Sequence, residues 1–155
     1  RAPRAGEVDG RDYHFVGNPG FDELIARGDL LEWAEIHGGL QRSGTPRAAV
    51  ERALAEGRPV LVEVDLHGAR ALKAAMPESV SVFVEPPSLD ELERRLRERG
   101  TESPEQFARR LQTAREELAA RAEFDEALVN EDVQAVADRL VELLVGNVPL
   151  SGVHE

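Results

Sequence analysis

The chain has 155 residues, 41% of them apolar and 32% charged, which suffices for one domain of ordinary size or one domain carrying a small inserted lobe. Thirty Asp and Glu against 19 Lys and Arg leave a formal net charge of −11, which excludes the extended basic field that nucleic acids and anionic membranes require. No apolar run approaches the ~20 residues that cross a bilayer, and the lack of cysteine removes disulfides, thiolate chemistry and cysteine metal sites, fitting a reducing cytosol.

Residues 1–16, RAPRAGEVDGRDYHFV, run against this acidic background, with three arginines and one tyrosine in a glycine-punctuated segment that has little to bury. Arg1 and Arg4, with Tyr13 on a strand that follows, can surround a terminal phosphate with guanidinium forks and a phenol; a solvated loop with stray arginines has the same pattern. Asn18-Pro19 followed by Phe21, Leu24 and Ile25 predicts a short capped helix closed by Gly28. LLEWAEIHGG predicts a strand running into a turn. In it Glu32 faces opposite to Leu31 and Trp33, either as the wet side of ordinary alternation or as a carboxylate aimed at an amidine-like base edge. Thr45-Pro46 starts a second helix with Val50, Ala53 and Leu54 on one face and Gly57 as its stop.

From residue 59 the grain changes. PVLVEVD reads as a strand buried on both faces of a parallel sheet, SVSVFVE as another, and EALVN, ending at Asn130, as a weaker third. Glu63 and Asp65 fall at the C-terminal end of the first, where open parallel sheets bind ligands, or else form a salt-bridged structural pair. Ser88 with Glu91 makes a capping box for a helix through Leu92 and Leu96; Ser103-Pro104 with Gln106 opens another through Phe107, Leu111, Ala114 and Leu118. A last amphipathic helix carries Val133, Val136, Leu140, Leu143 and Leu144, and GNVPLSGVHE is a loose tail.

The stretch ELERRLRERGTESPEQFARRL holds six arginines. Glu91–Arg95 and Glu93–Arg97 are good i, i+4 ion pairs of an exposed face. Arg95 and Arg99 are like charges four apart, and with Arg110 on the next helix they can form a lid, hinged at Gly100-Thr101, that lies on a polyphosphate. The histidines lack metal-ligand spacing, Ser43 and Thr45 lack a nucleophile motif, and no GxxxxGK[ST] loop surrounds Lys73. The fold expected is an α/β parallel sheet preceded by a small α+β lobe. Three such strands leave unpaired apolar edges, so a further strand and helix are expected ahead of Arg1.

Taken in register, RAPRAGEVDGRDYHF, GDLLEWAEIHG, GTP at 44–46, LVEVDLHGAR, PPSLDELERRLRERGTES, RRLQTAREEL and FDEALVNED resemble guanylate kinase of the bacterial type, from Arg1 to about Val145. The resemblance implies a phosphate-loop nucleoside-monophosphate-kinase fold: a GMP-binding lobe at 1–58, core elements at 59–87 and 111–146, an arginine lid at 88–110 and a flexible tail at 147–155. It implies ATP-dependent phosphorylation of GMP or dGMP in the cytoplasm, with Mg2+ bound alongside ATP and no nucleic-acid or membrane partner. Arg1, Arg4 and Tyr13 would hold the GMP phosphate, Glu32 and Asp65 would read the guanine edge, and Ser43 would supply a hydroxyl near the base. Arg95, Arg99 and Arg110 would close over the ATP phosphates and stabilise transfer; Asn130 would border the adenine, and Glu63 would stand near the magnesium shell through water.

The chain departs from that family where NYYGT or NYYGS is usual: it reads GLQRSGT, so a second phosphate-binding tyrosine is missing and Gln41 or Arg42 is the expected substitute. DLHG replaces the usual DIQG, putting His67 in the turn. The family's phosphate loop, first strand and first helix would precede Arg1, so the chain is expected to be a fragment with little kinase activity of its own. The rival reading is a catalytically inactive guanylate-kinase-like module that binds phosphopeptides, and a blander one is an acidic α/β interaction domain.

Overall fold

The computed structural model describes residue 3 and residues 6–36, 41–98 and 104–146. Two compact units form, Arg1–Pro77 and Glu78–Glu155. In the first, α1 (Asn18–Arg27) begins with a proline in its first turn, where the missing N–H costs nothing, and ends at Gly28 in the left-handed region with φ 70°. The N–H groups of Gly28 and Asp29 turn back to the carbonyls of Ile25 and Leu24, closing the last turn. The chain then enters β1 (Leu30–Ile36), which pairs antiparallel with β2 (Gln41–Pro46).

The small core of this unit is Phe21 of α1, Leu30 and Leu31 of β1, and Val50 and Ala53 of α2 (Arg47–Ala55). Leu54, expected on the same face of α2, is exposed. Gly44 on β2 faces Trp33, and no side chain would fit there: a Cβ would stand 2.8 Å from the Glu32 carbonyl oxygen and 3.0 Å from the Trp33 Cβ. Tyr13 is not in a strand ladder. It makes a single bridge with Asp9 in a tight loop whose carboxylates, Asp9 and Asp12, accept from the N–H groups of Phe15 and Val8.

Residues 59–65 correct the expectation of a buried parallel strand. They form no ladder among the described residues, and burial alternates along them, with Leu61 63% exposed. A strand exists only through pairing; the described strands of this unit, β1 and β2, pair with each other alone, and this run leads instead into α3 (Leu66–Ala75), which packs on β1.

In the second unit β3 (Val82–Glu85) and β4 (Glu126–Val129) pair in parallel, as expected of the two remaining strands. A parallel pair needs a long crossover, here α4 (Leu89–Glu98), α5 (Pro104–Ala119) and a 3-10 turn at Arg121–Glu123. The entrances to both strands are stapled: Asp125 accepts from the Ser81 backbone N–H at 2.7 Å and from its hydroxyl at 2.8 Å, and Phe83 meets Phe124 edge-on at 5.1 Å.

Ser88 caps α4 through the Glu91 N–H at 3.1 Å, but the reciprocal half of the expected capping box is absent, because the Glu91 side chain is drawn to arginines one turn further on. α4 meets α5 with the Arg97 guanidinium over the Phe107 ring. α6 (Val133–Gly146) is capped by Asp132 and tied to β4 by the Arg139–Glu126 pair, with Val136, Leu140, Leu143 and Leu144 half-buried and Val133, its first residue, exposed.

Candidate functional site

Among the described residues of the first unit Glu32 is the buried charged side chain, 7% exposed. Alternation alone allows it a wet outer face. Instead Leu31 and Glu32 are both buried while Trp33 is 44% exposed, so the face that carries Glu32 is covered. Burying a carboxylate is costly unless it is hydrogen-bonded, and the covering elements supply the partner. Thr45, opposite Glu32 in the β1–β2 register, donates its hydroxyl to Glu32 Oε1 at 2.7 Å. Thr45 has no nucleophile motif around it, and its role is that of a donor instead; the signal that marks it is its place in GTP, on the strand facing LLEWAEI.

Asp65, itself exposed, is brought near Glu32 by α3. It is the N-cap of α3 and accepts from the Gly68 N–H at 2.7 Å. Gly68 in turn is buried against Glu32, since a Cβ built on it would lie 3.2 Å from Glu32 Oε2. Residues far apart in sequence thus converge around one glycine. Ser43 sits two residues before Thr45 on β2, opposite Ala34, which gives it the same face as the Thr45–Glu32 pair, and it is exposed. Glu63 is exposed two residues before Asp65. Tyr13 is 52% exposed beside Phe15, with ring centroids 5.7 Å apart.

Arg42, one expected substitute for the missing tyrosine, is engaged on α1. Its guanidinium donates to Asp22 Oδ1 at 2.5 Å and to the Asn18 carbonyl at 3.0 Å, and lies 4.9 Å above the Phe21 ring. All these partners belong to α1, so Arg42 fastens β2 to that helix. The Gln41 side chain, like Arg1 and Arg4, lies outside the described residues.

In the second unit Arg95 donates to Glu91 Oε1 at 2.7 Å and to the carbonyl of Asn130 at 3.3 Å. Asn130 is fixed by its own N–H on the Glu85 carbonyl at 2.7 Å, just beyond β4. Arg95 and Asn130 therefore line one cleft of about 220 Å³, with Val84, Pro86, Leu92 and Leu96. Hydrogen bonds from Arg94 and then Arg95 hold the Glu91 carboxyl down at about 2, so it stays ionised opposite them. The expected Glu93–Arg97 pair forms at 3.3 Å. Arg110 is exposed on α5; Arg99 and the Gly100-Thr101 hinge lie outside the described residues.

Among the described residues no group of three or more His, Asp or Glu side chains is placed to hold a metal ion, and no helix is long and apolar enough to cross a membrane. Magnesium bound with a nucleotide keeps most of its waters and takes one or two carboxylates, which an exposed Glu63 fits.

The guanylate kinase family model matches residues 1–146. The chain is 63% identical over 146 residues to a guanylate kinase of Rhodococcus jostii, a match covering 94% of this chain and 70% of that relative. It is 62% identical over 145 residues to one of Nocardia farcinica, covering 94% and 75%. A crystal structure of guanylate kinase from Anaplasma phagocytophilum superposes with a TM-score of 0.77 at 34% identity, covering 97% of this chain and 73% of that one. The α/β architecture is thus that of the nucleoside-monophosphate kinases, and the chain belongs to the guanylate kinase family.

Proposed function

We propose that this chain carries the GMP-binding lobe and the phosphate-closing arginines of an enzyme that transfers the γ-phosphoryl group of ATP to GMP or dGMP. The observation that supports it most is the convergence of buried Glu32, held by Thr45, with Asp65 at the head of α3. Two carboxylates can accept from the N1–H and 2-amino group of guanine. Adenine presents an unprotonated N1 there, so the same acids repel it, and a site built for hydrogen-bonding rejects an analogue that leaves a buried group such as Glu32 unpaired. Ser43 adds a hydroxyl beside the base.

Tyr13, with Arg1 and Arg4, holds the acceptor phosphate; Arg95, Arg99 and Arg110 neutralise the charge that develops on the transferred group, and Asn130 borders the adenine. Residues 1–58 serve as the GMP lobe, 59–87 and 111–146 as the core, and 88–110 as the lid. Transfer is in line and needs no covalent enzyme intermediate, so positioning and charge neutralisation carry the catalysis. Glu63, exposed two residues before Asp65, would help to hold Mg2+ brought with ATP, and the ion when bound would supply further neutralisation of the phosphate oxygens. The reaction belongs to the cytoplasm, where both nucleotides and a cysteine-free chain are at home.

The phosphopeptide-binding alternative gains nothing from the relatives, which bear the kinase name. A phosphopeptide also has no use for a carboxylate pair that would repel it. The test is ADP formation from ATP by the intact enzyme. It should require GMP, with AMP a poor acceptor, and Arg95→Ala should lower kcat by about a hundredfold while leaving the KM for GMP near its original value. Equal turnover of AMP would contradict the reading.

A further inference from the structure

Gly68 has ordinary helical geometry, so nothing in its backbone demands glycine. Its surroundings do. It is buried at the third position of α3, and a Cβ there would stand 2.9 Å from the Val64 Cβ, 3.2 Å from the Val64 Cγ1 and 3.2 Å from Glu32 Oε2. The first distance is shorter than real side chains tolerate, and the last requires the carboxylate to give way. Glu32 has little freedom to do so without loss, because Oε1 is already tied to the Thr45 hydroxyl at 2.7 Å. Gly68 acts on the second acid as well, since its N–H is the donor that orients Asp65 Oδ1 at 2.7 Å.

We infer that Gly68 is a specificity-determining positioning residue: its missing side chain and its N–H together set the spacing of the Glu32 and Asp65 carboxylates, and so decide how strongly the site favours a base bearing a 2-amino group. This rests on the reading that Glu32 accepts from the guanine edge. Adding a methyl group at 68 moves Oε2 out of line with the 2-amino group without removing any charge. The base loses its most exacting contact, while the phosphate and sugar contacts stay. GMP binding should therefore weaken much more than binding of inosine monophosphate, which has the same phosphate, sugar and N1–H but no 2-amino group. Loss of one charge-assisted hydrogen bond corresponds to about a tenfold fall in the GMP-to-IMP affinity ratio.

The experiment is calorimetric titration of the protein with GMP and with IMP, for wild type, Gly68→Ala, Glu32→Gln and the double variant. A further variant, Gly68→Ala with Val64→Gly, removes the closest clash and leaves the approach to Glu32, so that failure of the single variant to fold does not end the test. The expected result is a ratio that falls about tenfold in Gly68→Ala and in the Val64→Gly background, with no further fall when Gly68→Ala is added to Glu32→Gln. An equal loss for both nucleotides, or an unchanged ratio in folded protein, would overturn the role of Gly68. If Glu32→Gln itself leaves the ratio unchanged, the base-reading assignment fails and takes this one with it. A ratio that falls only in Glu32→Gln rejects Gly68 alone.

Discussion

The Thr45 hydroxyl donates to Glu32 Oε1 at 2.7 Å across directly opposed positions of the hairpin, so β2 fixes the buried acid of the proposed base site. Thr45→Val keeps shape and strand propensity but leaves that oxygen without its donor. GMP affinity should drop about tenfold, and Thr45→Ser should restore most of it, because a hydrogen bond to a charged group is worth roughly 1.5–3 kcal/mol. Titration of both variants with GMP checks this, and equal affinities for Val and Ser would argue against it.

Gly44 lies against the Glu32 carbonyl, where a Cβ would come within 2.8 Å of backbone oxygen and 3.0 Å of the Trp33 Cβ. Backbone cannot step aside as a flexible side chain can. Gly44→Ala should therefore destabilise the first unit by about 1–3 kcal/mol, the usual cost of overpacking, read as a lower midpoint in urea.

Arg42, expected near the acceptor phosphate, is found on α1, over Phe21 and against Asp22. Asp22 is 65% exposed, so the ion pair itself contributes little, about 0–1 kcal/mol. The stacking on Phe21 and the bond to the Asn18 carbonyl raise the total to about 1–2 kcal/mol. Arg42→Ala should lower the denaturation midpoint and leave GMP affinity within about twofold. A large loss of affinity at unchanged stability would return Arg42 to the phosphate.

Glu91 is held at about 2 by Arg94 and Arg95, below its ordinary 4.5. A carboxyl depressed in the folded state stabilises it above the unfolded pKa and loses that contribution as pH falls through the folded one. The stabilisation from this group should be complete above about pH 4.5 and vanish toward pH 2. Glu91→Gln should flatten the stability profile in that window and leave it parallel to wild type at neutral pH. Identical acid limbs for the two proteins would show that the pairing contributes nothing.

What can be read from the sequence follows from what is local. α1 announces itself through Pro19 and Gly28, and α4 through Ser88, because caps and breakers act within a few residues. β2 is invisible there: QRSGTP has one β-branched residue, a glycine and a proline, and becomes a strand only because β1 pairs with it. PVLVEVD shows the converse, an apolar run whose composition says strand while no described strand pairs with it. The side on which Glu32 is buried is equally undecidable, since a period of two separates faces without saying which is covered. Glu32 and Asp65 stand out as candidates by their apolar settings; the Asp65–Gly68 cap is local, but the hold of Thr45 on Glu32 and the approach of Gly68 to Glu32 emerge only with the tertiary pairing.

The most direct measurement is a crystal structure of the protein with GMP bound. Guanine N1 and the 2-amino group are expected within hydrogen-bond distance of the Glu32 and Asp65 carboxylates, with the phosphate toward Tyr13. A base seated elsewhere, with both carboxylates facing only water or protein, would contradict it.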